Sequence, residues 1–276
     1  MSGARFNRVL VRRQDLRRPF PPDFASRLTG TTVRAVTRRA KYLVLPLSTG
    51  ETLVMHLGMS GGLRVERADH GPDVSRPGTR ASRLEGEASA AVLPPGAHDH
   101  VVFDMSSGYR VTFTDPRRFG VMDLMTREAL AGDGTLSRLG PEPLSAEFDA
   151  AALAHACARR RVPLKMALLD QRVVAGLGNI YAVEALHRAG LSPSRRASTI
   201  ATATGKPRPG AARLASAIKQ VLSRAIERQS RATYGSARFR VYDREGHACP
   251  TRGCAGVIRR SVQGGRSTFA CPSCQR

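Results

Sequence analysis

Hydrophobic and polar positions follow two different rhythms along this chain. From Phe6 to Leu124 the apolar residues alternate with polar ones or gather in short runs of strand length. Val33 to Leu47 and Thr52 to His56 hold β-branched and apolar residues bounded by Gly and Ser, and Val101 to Asp104 and Arg110 to Thr114 repeat the pattern around a Ser106-Ser107-Gly108 turn. Several short strands with turn signals between them predict a β-sandwich. From Glu66 to Ala97 the rhythm breaks. That stretch is rich in Ala, Gly, Pro, Ser and charge, has no period, and reads as a long, mobile surface insertion.

After Gly140-Pro141-Glu142-Pro143-Leu144 the period changes to that of helices. Phe148 to Arg159 is an Ala-rich helical pattern with Asp149 near its start; Pro163 to Asp170, Ile180 to Ala189 and Ala211 to Gln229 predict three more. Ser194 to Gly210 reads as a polar linker. From Arg238 short strands return together with four cysteines. The expected domains are therefore residues 1–130, a β-sandwich interrupted by the 66–97 insertion; 131–237, helical; and 238–276, a small cysteine module.

Charge sharpens the picture. Lys and Arg total 44 against 22 Asp and Glu, a formal net charge of +22. Forty of the 44 are Arg, the only lysines being Lys41, Lys165, Lys206 and Lys219. A GC-rich genome explains the Arg-to-Lys ratio but not the excess of bases over acids; a polyanionic partner, nucleic acid above all, explains the excess. No run of apolar residues is long enough for a membrane-spanning helix, and the Arg-rich start has no apolar segment of the secretory kind. No basic amphipathic helix with bulky apolar residues opposite points to a membrane surface. Five cysteines in 276 residues argue against a disulfide scaffold.

Four residues separate Cys249 from Cys254 and two separate Cys271 from Cys274, with sixteen between the pairs. Those sixteen include two short strand patterns around Gln263-Gly264-Gly265-Arg266, a hairpin signature. A hairpin that joins two close cysteine pairs offers four thiolates in a tetrahedron, the arrangement Zn²⁺ takes. Arg252, Arg259, Arg260 and Arg266 surround it, in keeping with a nucleic-acid finger. Cys157, on the Ala-rich helix, reads as a small core residue.

Three further segments carry chemistry only in company. Gly176-Leu177-Gly178-Asn179-Ile180-Tyr181 lies between two helices, and Asn179 is placed to cap a helix whose positive N-terminus attracts phosphate. Thr114 to Gly120 presents Arg117, Arg118 and Phe119 on a turn, a donor fork beside an apolar wedge suited to probing bases, or an ordinary surface loop. His98-Asp99-His100 resembles a metal pair but has no third ligand nearby and is assigned none.

Taken in order, Arg38 to Leu43, His56-Leu57-Gly58-Met59-Ser60-Gly61, His98-Asp99-His100, Thr114 to Gly120, Leu139 to Leu144, Val174 to Tyr181 and the four-cysteine finger closely resemble the family of formamidopyrimidine-DNA glycosylase, which also includes endonuclease VIII. The resemblance spans nearly the whole chain. It implies a multidomain α+β fold: an N-terminal β-sandwich, a helix–two-turns–helix domain and a C-terminal zinc-finger β-hairpin, with DNA in the cleft between. It implies a base-excision-repair enzyme that removes 8-oxoguanine and formamidopyrimidines from damaged double-stranded DNA and then cleaves the abasic strand, after turning the target base out of the stack. A monomer with one structural Zn²⁺, working in the bacterial cytoplasm at the nucleoid, is expected.

Residue by residue, the resemblance gives Met59, Arg117 and Phe119 the space left by the departed base, with Arg117 facing the orphaned cytosine. Lys41 matches a catalytic lysine near the target. His98, Arg161, Lys165 and Asn179 match phosphate contacts, Arg266 matches the arginine of the final elimination, and Cys249, Cys254, Cys271 and Cys274 match the metal ligands. Two segments depart from the pattern. The family opens on Pro-Glu-Leu-Pro-Glu, whose proline amine is the nucleophile and whose glutamate is the acid; Met1-Ser2-Gly3-Ala4-Arg5-Phe6 matches a point about twenty residues further in. The stretch between Glu227 and Arg238 is shorter than the Gly-rich loop that covers the flipped base. The alternative expectation is therefore a DNA-binding relic without the proline nucleophile.

Overall fold

The computed structural model describes residues 1–67, 96–132, 134, 136–229 and 239–276. The 66–97 insertion, apart from its edges, and most of the loop after Glu227 lie outside the described residues. Contacts divide the chain into two units that meet in sequence between Ser137 and Arg138.

The first unit is built from eight described strands: β1 (Phe6–Val11), β2 (Thr37–Arg39), β3 (Tyr42–Pro46), β4 (Thr52–His56), β5 (Gly62–Arg67), β6 (Asp99–Met105), β7 (Tyr109–Thr114) and β8 (Val121–Met125), with short helices α1 (Phe24–Leu28) and α2 (Arg127–Gly132). One antiparallel sheet runs β1-β6-β7-β5 and the other β2-β3-β4-β8. Phe6, Phe103 and Phe113 from the first sheet share a buried cluster with Leu45, Leu53 and Met55 from the second. Two sheets sharing one apolar core are a β-sandwich. The run Val33 to Leu47 is not one strand. Ala40 takes a left-handed backbone (φ 53°), the chain reverses there, and β2 pairs back onto β3 from Arg39↔Tyr42 to Thr37↔Val44.

The second unit packs α3 (Ala150–Cys157), α4 (Leu164–Leu169), α5 (Asn179–Ala189) and α6 (Pro209–Gln229). Asp149 caps α3, its carboxylate accepting from Ala152 N at 2.7 Å. Along α6, Ala211, Leu214, Ala215 and Ile218 turn inward at helical spacing and join Leu153, Leu164, Leu168 and Leu186 in one core. Cys157 is buried there, and burial pushes its thiol up to about 11. Ser194 to Gly210 is no linker: a 3₁₀ turn at Ala197–Ile200 buries Ala197, Ile200 and Ala201 in that core. The hairpin β9 (Arg259–Gln263) and β10 (Arg266–Ala270) completes the unit, and Val183 of α5 packs with Val241, Ile258 and Phe269 of the cysteine module.

Candidate nucleic-acid interface

In the first unit one carboxylate holds two loops together. Asp115 is fully buried; it accepts from Ser60 Oγ at 2.5 Å and from Gly120 N at 2.7 Å, while its backbone oxygen meets His100 Nε2 at 2.8 Å. Ser60 belongs to the loop after β4 and Gly120 to the turn before β8. Gly58 seats the first loop on the second: it has φ 71°, and a Cβ there would lie 2.6 Å from the Phe119 carbonyl carbon, so only glycine fits. On this base the tips project outward. Met59 is 71% exposed and Phe119 44%. The Arg117 guanidinium lies 5.6 Å from the Phe119 ring centroid, and left-handed Arg118 bends the chain between them.

Lys41, exposed beside the β2–β3 turn, belongs to the same unit. Burial, then the nearby Lys41 and Arg17 cations, lower the pKa of His56. A neutral His56 fits its contact, since its Nδ1 accepts from Gly58 N at 3.0 Å. His98 is half-buried, with its backbone oxygen taking Asp115 N at 3.1 Å. Asp99 pairs with Arg64 at 3.1 Å and accepts from Thr114 Oγ1 at 2.6 Å; against the opposing effect of burial, these partners hold its carboxyl below the usual range. With His100 on a carbonyl and Asp99 on a cation, the His98-Asp99-His100 segment is occupied by fold contacts.

In the second unit Lys165, Asn179 and Arg266 come together. Lys165 is fully buried, and its amine donates to Thr268 Oγ1 (2.6 Å), Ser267 O (3.3 Å) and Arg266 O (3.4 Å). Burial, followed by the Arg266 charge, lowers its pKa to about 8. Three protons meet three acceptors, so Lys165 in this conformation grips the hairpin rather than reaching solvent. The turn itself sits on α4: a Cβ at Gly264 would lie 2.4 Å from Met166 Cε. Asn179 donates to Ser267 O at 3.0 Å, while its buried Oδ1 has no partner among the described residues. Asn179 is not the cap of α5. Gly178 occupies that place and has no side chain to offer, which leaves the first amides of α5 without a side-chain partner from the cap. Arg161, just past α3, is exposed, as is Arg266.

The four cysteines are free thiols whose sulfurs all lie within 4.8 Å of one another. Cys249 and Cys274 are 3.7 Å apart and Cys254 and Cys271 3.6 Å apart, close to the roughly 3.8 Å expected between thiolates tetrahedral about one zinc ion. The cluster could hold one metal ion. Two residues that sequence reasoning passed over fasten this module to α5. Glu184 accepts from Arg240, Val241 and Tyr242 N, each at 2.9 Å. Buried His187 places Nε2 3.5 Å from Cys249 Sγ and 3.2 Å from Thr251 Oγ1. The available signal was a Glu amid the apolar run Ala182 to Leu186.

Residues 1–122 match the formamidopyrimidine-DNA glycosylase N-terminal domain and residues 139–236 match the formamidopyrimidine-DNA glycosylase H2TH domain. Formamidopyrimidine-DNA glycosylase of Rhodopseudomonas palustris BisA53 is 52% identical over 287 residues, covering all of this chain and 94% of the relative; that of Bradyrhizobium sp. BTAi1 is 53% identical with the same coverage. Among solved structures, the MutM (Fpg) protein of Thermus thermophilus is 33% identical with a TM-score of 0.73, covering all of this chain and 92% of that one. Lactococcus lactis Fpg bound to abasic-site DNA shares the fold at a TM-score of 0.78 and 23% identity, covering all of this chain and 94% of that one.

A β-sandwich, a helical DNA-binding unit and a four-cysteine hairpin define a DNA glycosylase of the bifunctional class, with lyase activity at abasic sites, acting in base excision repair. The chain belongs to the formamidopyrimidine-DNA glycosylase family. Its partner is DNA, and among the described residues no helix is long and apolar enough to cross a membrane.

Proposed function

We propose that the chain recognises oxidised purines, 8-oxoguanine and formamidopyrimidines, in double-stranded DNA as a monomer, at the bacterial nucleoid. The exposed trio on the Asp115 frame carries this reading. Met59 and Phe119 enter the space left by the displaced base, and Arg117 offers its donor fork to the opposite cytosine. Lys41 serves near the target sugar. His98, Arg161 and the first turn of α5 at Asn179 take phosphates, where amide donors and helix dipole act together. Arg266 serves the last elimination from the hairpin, and Lys165 acts through that hairpin as a positioning residue. One Zn²⁺ on Cys249, Cys254, Cys271 and Cys274 is structural: four thiolates close its coordination shell and leave no open position for chemistry.

Binding of duplexes carrying 8-oxoguanine opposite each of the four bases tests the reading. The wild-type chain should prefer cytosine. Arg117→Ala should lose about 1–3 kcal/mol of that preference with undamaged-duplex binding little changed. Equal weakening on every duplex would reduce Arg117 to a phosphate contact.

A further inference from the structure

The C-terminal end of α5, one face of α6 and the cysteine module border an open depression of about 560 Å³, within the size range of small-ligand sites. Arg188, Arg213 and Arg240 line it. Their geometry differs from that of arginines elsewhere. Arg160 and Arg172 pair with Asp170, Arg110 with Asp104 and Arg64 with Asp99. Among the described residues none of the three lining arginines forms an ion pair. Each instead directs its Nε to a group other than a carboxylate: Arg188 to Gln220 Oε1 at 2.6 Å, Arg213 to Ala189 O at 3.2 Å and Arg240 to His187 Nδ1 at 3.5 Å. One Arg240 terminal nitrogen also donates to Pro250 O. Glu184, one turn before Arg188, is committed to three backbone amides. The guanidiniums are thus oriented without a carboxylate partner, and Cys274 of the four-cysteine cluster also lines the depression. Burial, then the neighbouring Arg224 and Arg240 charges, disfavour the charged form of Arg188.

We propose that this depression is a second phosphate-binding site, distinct from the first turn of α5, that takes a small ligand with linked phosphates such as a nucleoside diphosphate. Guanidinium groups fixed at Nε present their remaining N–H groups in forks that match phosphate oxygens. Eleven residues of α5 put its two ends about 15 Å apart, too far for one pyrophosphate to span. The same chemistry could come from a flanking phosphodiester of bound DNA, and the experiment separates the two sources.

The zinc-loaded chain is titrated calorimetrically with ADP, with adenosine as the uncharged control. One ADP per chain is expected and no adenosine. Arg188→Gln and Arg213→Gln, checked for unchanged zinc content, should each weaken ADP about tenfold or more, whereas Arg127→Gln on α2 should not. In the unmutated chain, ADP should slow amide exchange at Gly190 and Thr251 and leave Asn179 to Tyr181 unchanged. Absence of saturable ADP binding, equal weakening by Arg127→Gln, or protection at Asn179 instead of Gly190 overturns the proposal. Arg188→Gln and Arg213→Gln that weaken duplex binding but not ADP give the site to the DNA backbone and overturn it as well.

Discussion

The two units hold their exposed chemistry in opposite ways. In the first, Met59, Arg117 and Phe119 ride on loop tips and are fixed from below, where Asp115 joins Ser60 to Gly120 and leaves the side chains above free. In the second, the hairpin that carries Arg266 is fixed from the side by helix residues: Lys165 and Asn179 hold its backbone, and Glu184 holds the segment that leads to it. The first arrangement suits groups that must enter a duplex, since the hydrogen bonds that join the loops use none of the three side chains at the tips. The second suits a group that must stay at one height above a helix end. A buried polar side chain, Asp115 in one and Lys165 in the other, does the fastening in both, because such a group is costly unless its donors or acceptors are met and therefore favours one arrangement.

Four measurements sharpen or break this contrast. The largest effect belongs to Cys271→Ser. Structural zinc contributes on the order of 10 kcal/mol or more to modules of this kind, so metal content should fall from about one per chain towards zero and the hairpin should lose exchange protection, with the first unit unaffected. Full zinc retention would remove the assignment. Glu184→Ala should follow. It strands three backbone donors and should cost roughly 4 kcal/mol in urea unfolding, localised by hydrogen exchange to Arg240–Tyr242. A loss below about 1 kcal/mol would show that apolar packing on Val183 holds the module by itself.

Lys165 gives a pH signature. Its folded pKa, about 8, lies below the unfolded 10.5. Across that window the unfolded chain binds more protons, so stability rises with pH; below pH 8 the penalty of the buried charge is fully present. Relative to Lys165→Met, the wild type should gain up to roughly 3 kcal/mol between about pH 7.5 and 10.5. Parallel curves would mean that Lys165 stays charged throughout. Asp115→Ala should cost about 2 kcal/mol in the first unit alone and blur the Arg117-dependent preference for cytosine. An unchanged preference would show that the loops need no clasp.

The order of elements was largely legible because period and turn chemistry are local. The Ser106–Gly108 turn, the Gly264–Gly265 hairpin and the Asp149 cap all stand where their residue types demand. What escaped was set by tertiary contact. Ala40 and Arg118 adopt left-handed backbones without Gly or Asn to signal it. α1 is five residues long, too short to show a period. Asn179, a strong capping type, gave up the cap to reach Ser267, eighty-eight positions away. The exposed members of the site showed themselves through residue type and company, whereas Asp115 and His187 did not, and Glu184 did so only by standing in an apolar run: an imidazole or carboxylate buried for its partners otherwise looks, in sequence, like any other polar residue.

Lys165 also bears on the chain's preference for arginine. An ammonium spreads three protons over a cone and can satisfy three acceptors converging on a point; a guanidinium is flat and forked, and cannot. In a sequence with forty arginines and four lysines, a fully buried amine with three oxygens around it marks a place where the exchange is chemically closed. Lys219, whose amine reaches Ser145 O, marks a milder one. In a chain so weighted towards arginine, these two lysines point to sites where the shape of the donor, and not its charge alone, is the requirement.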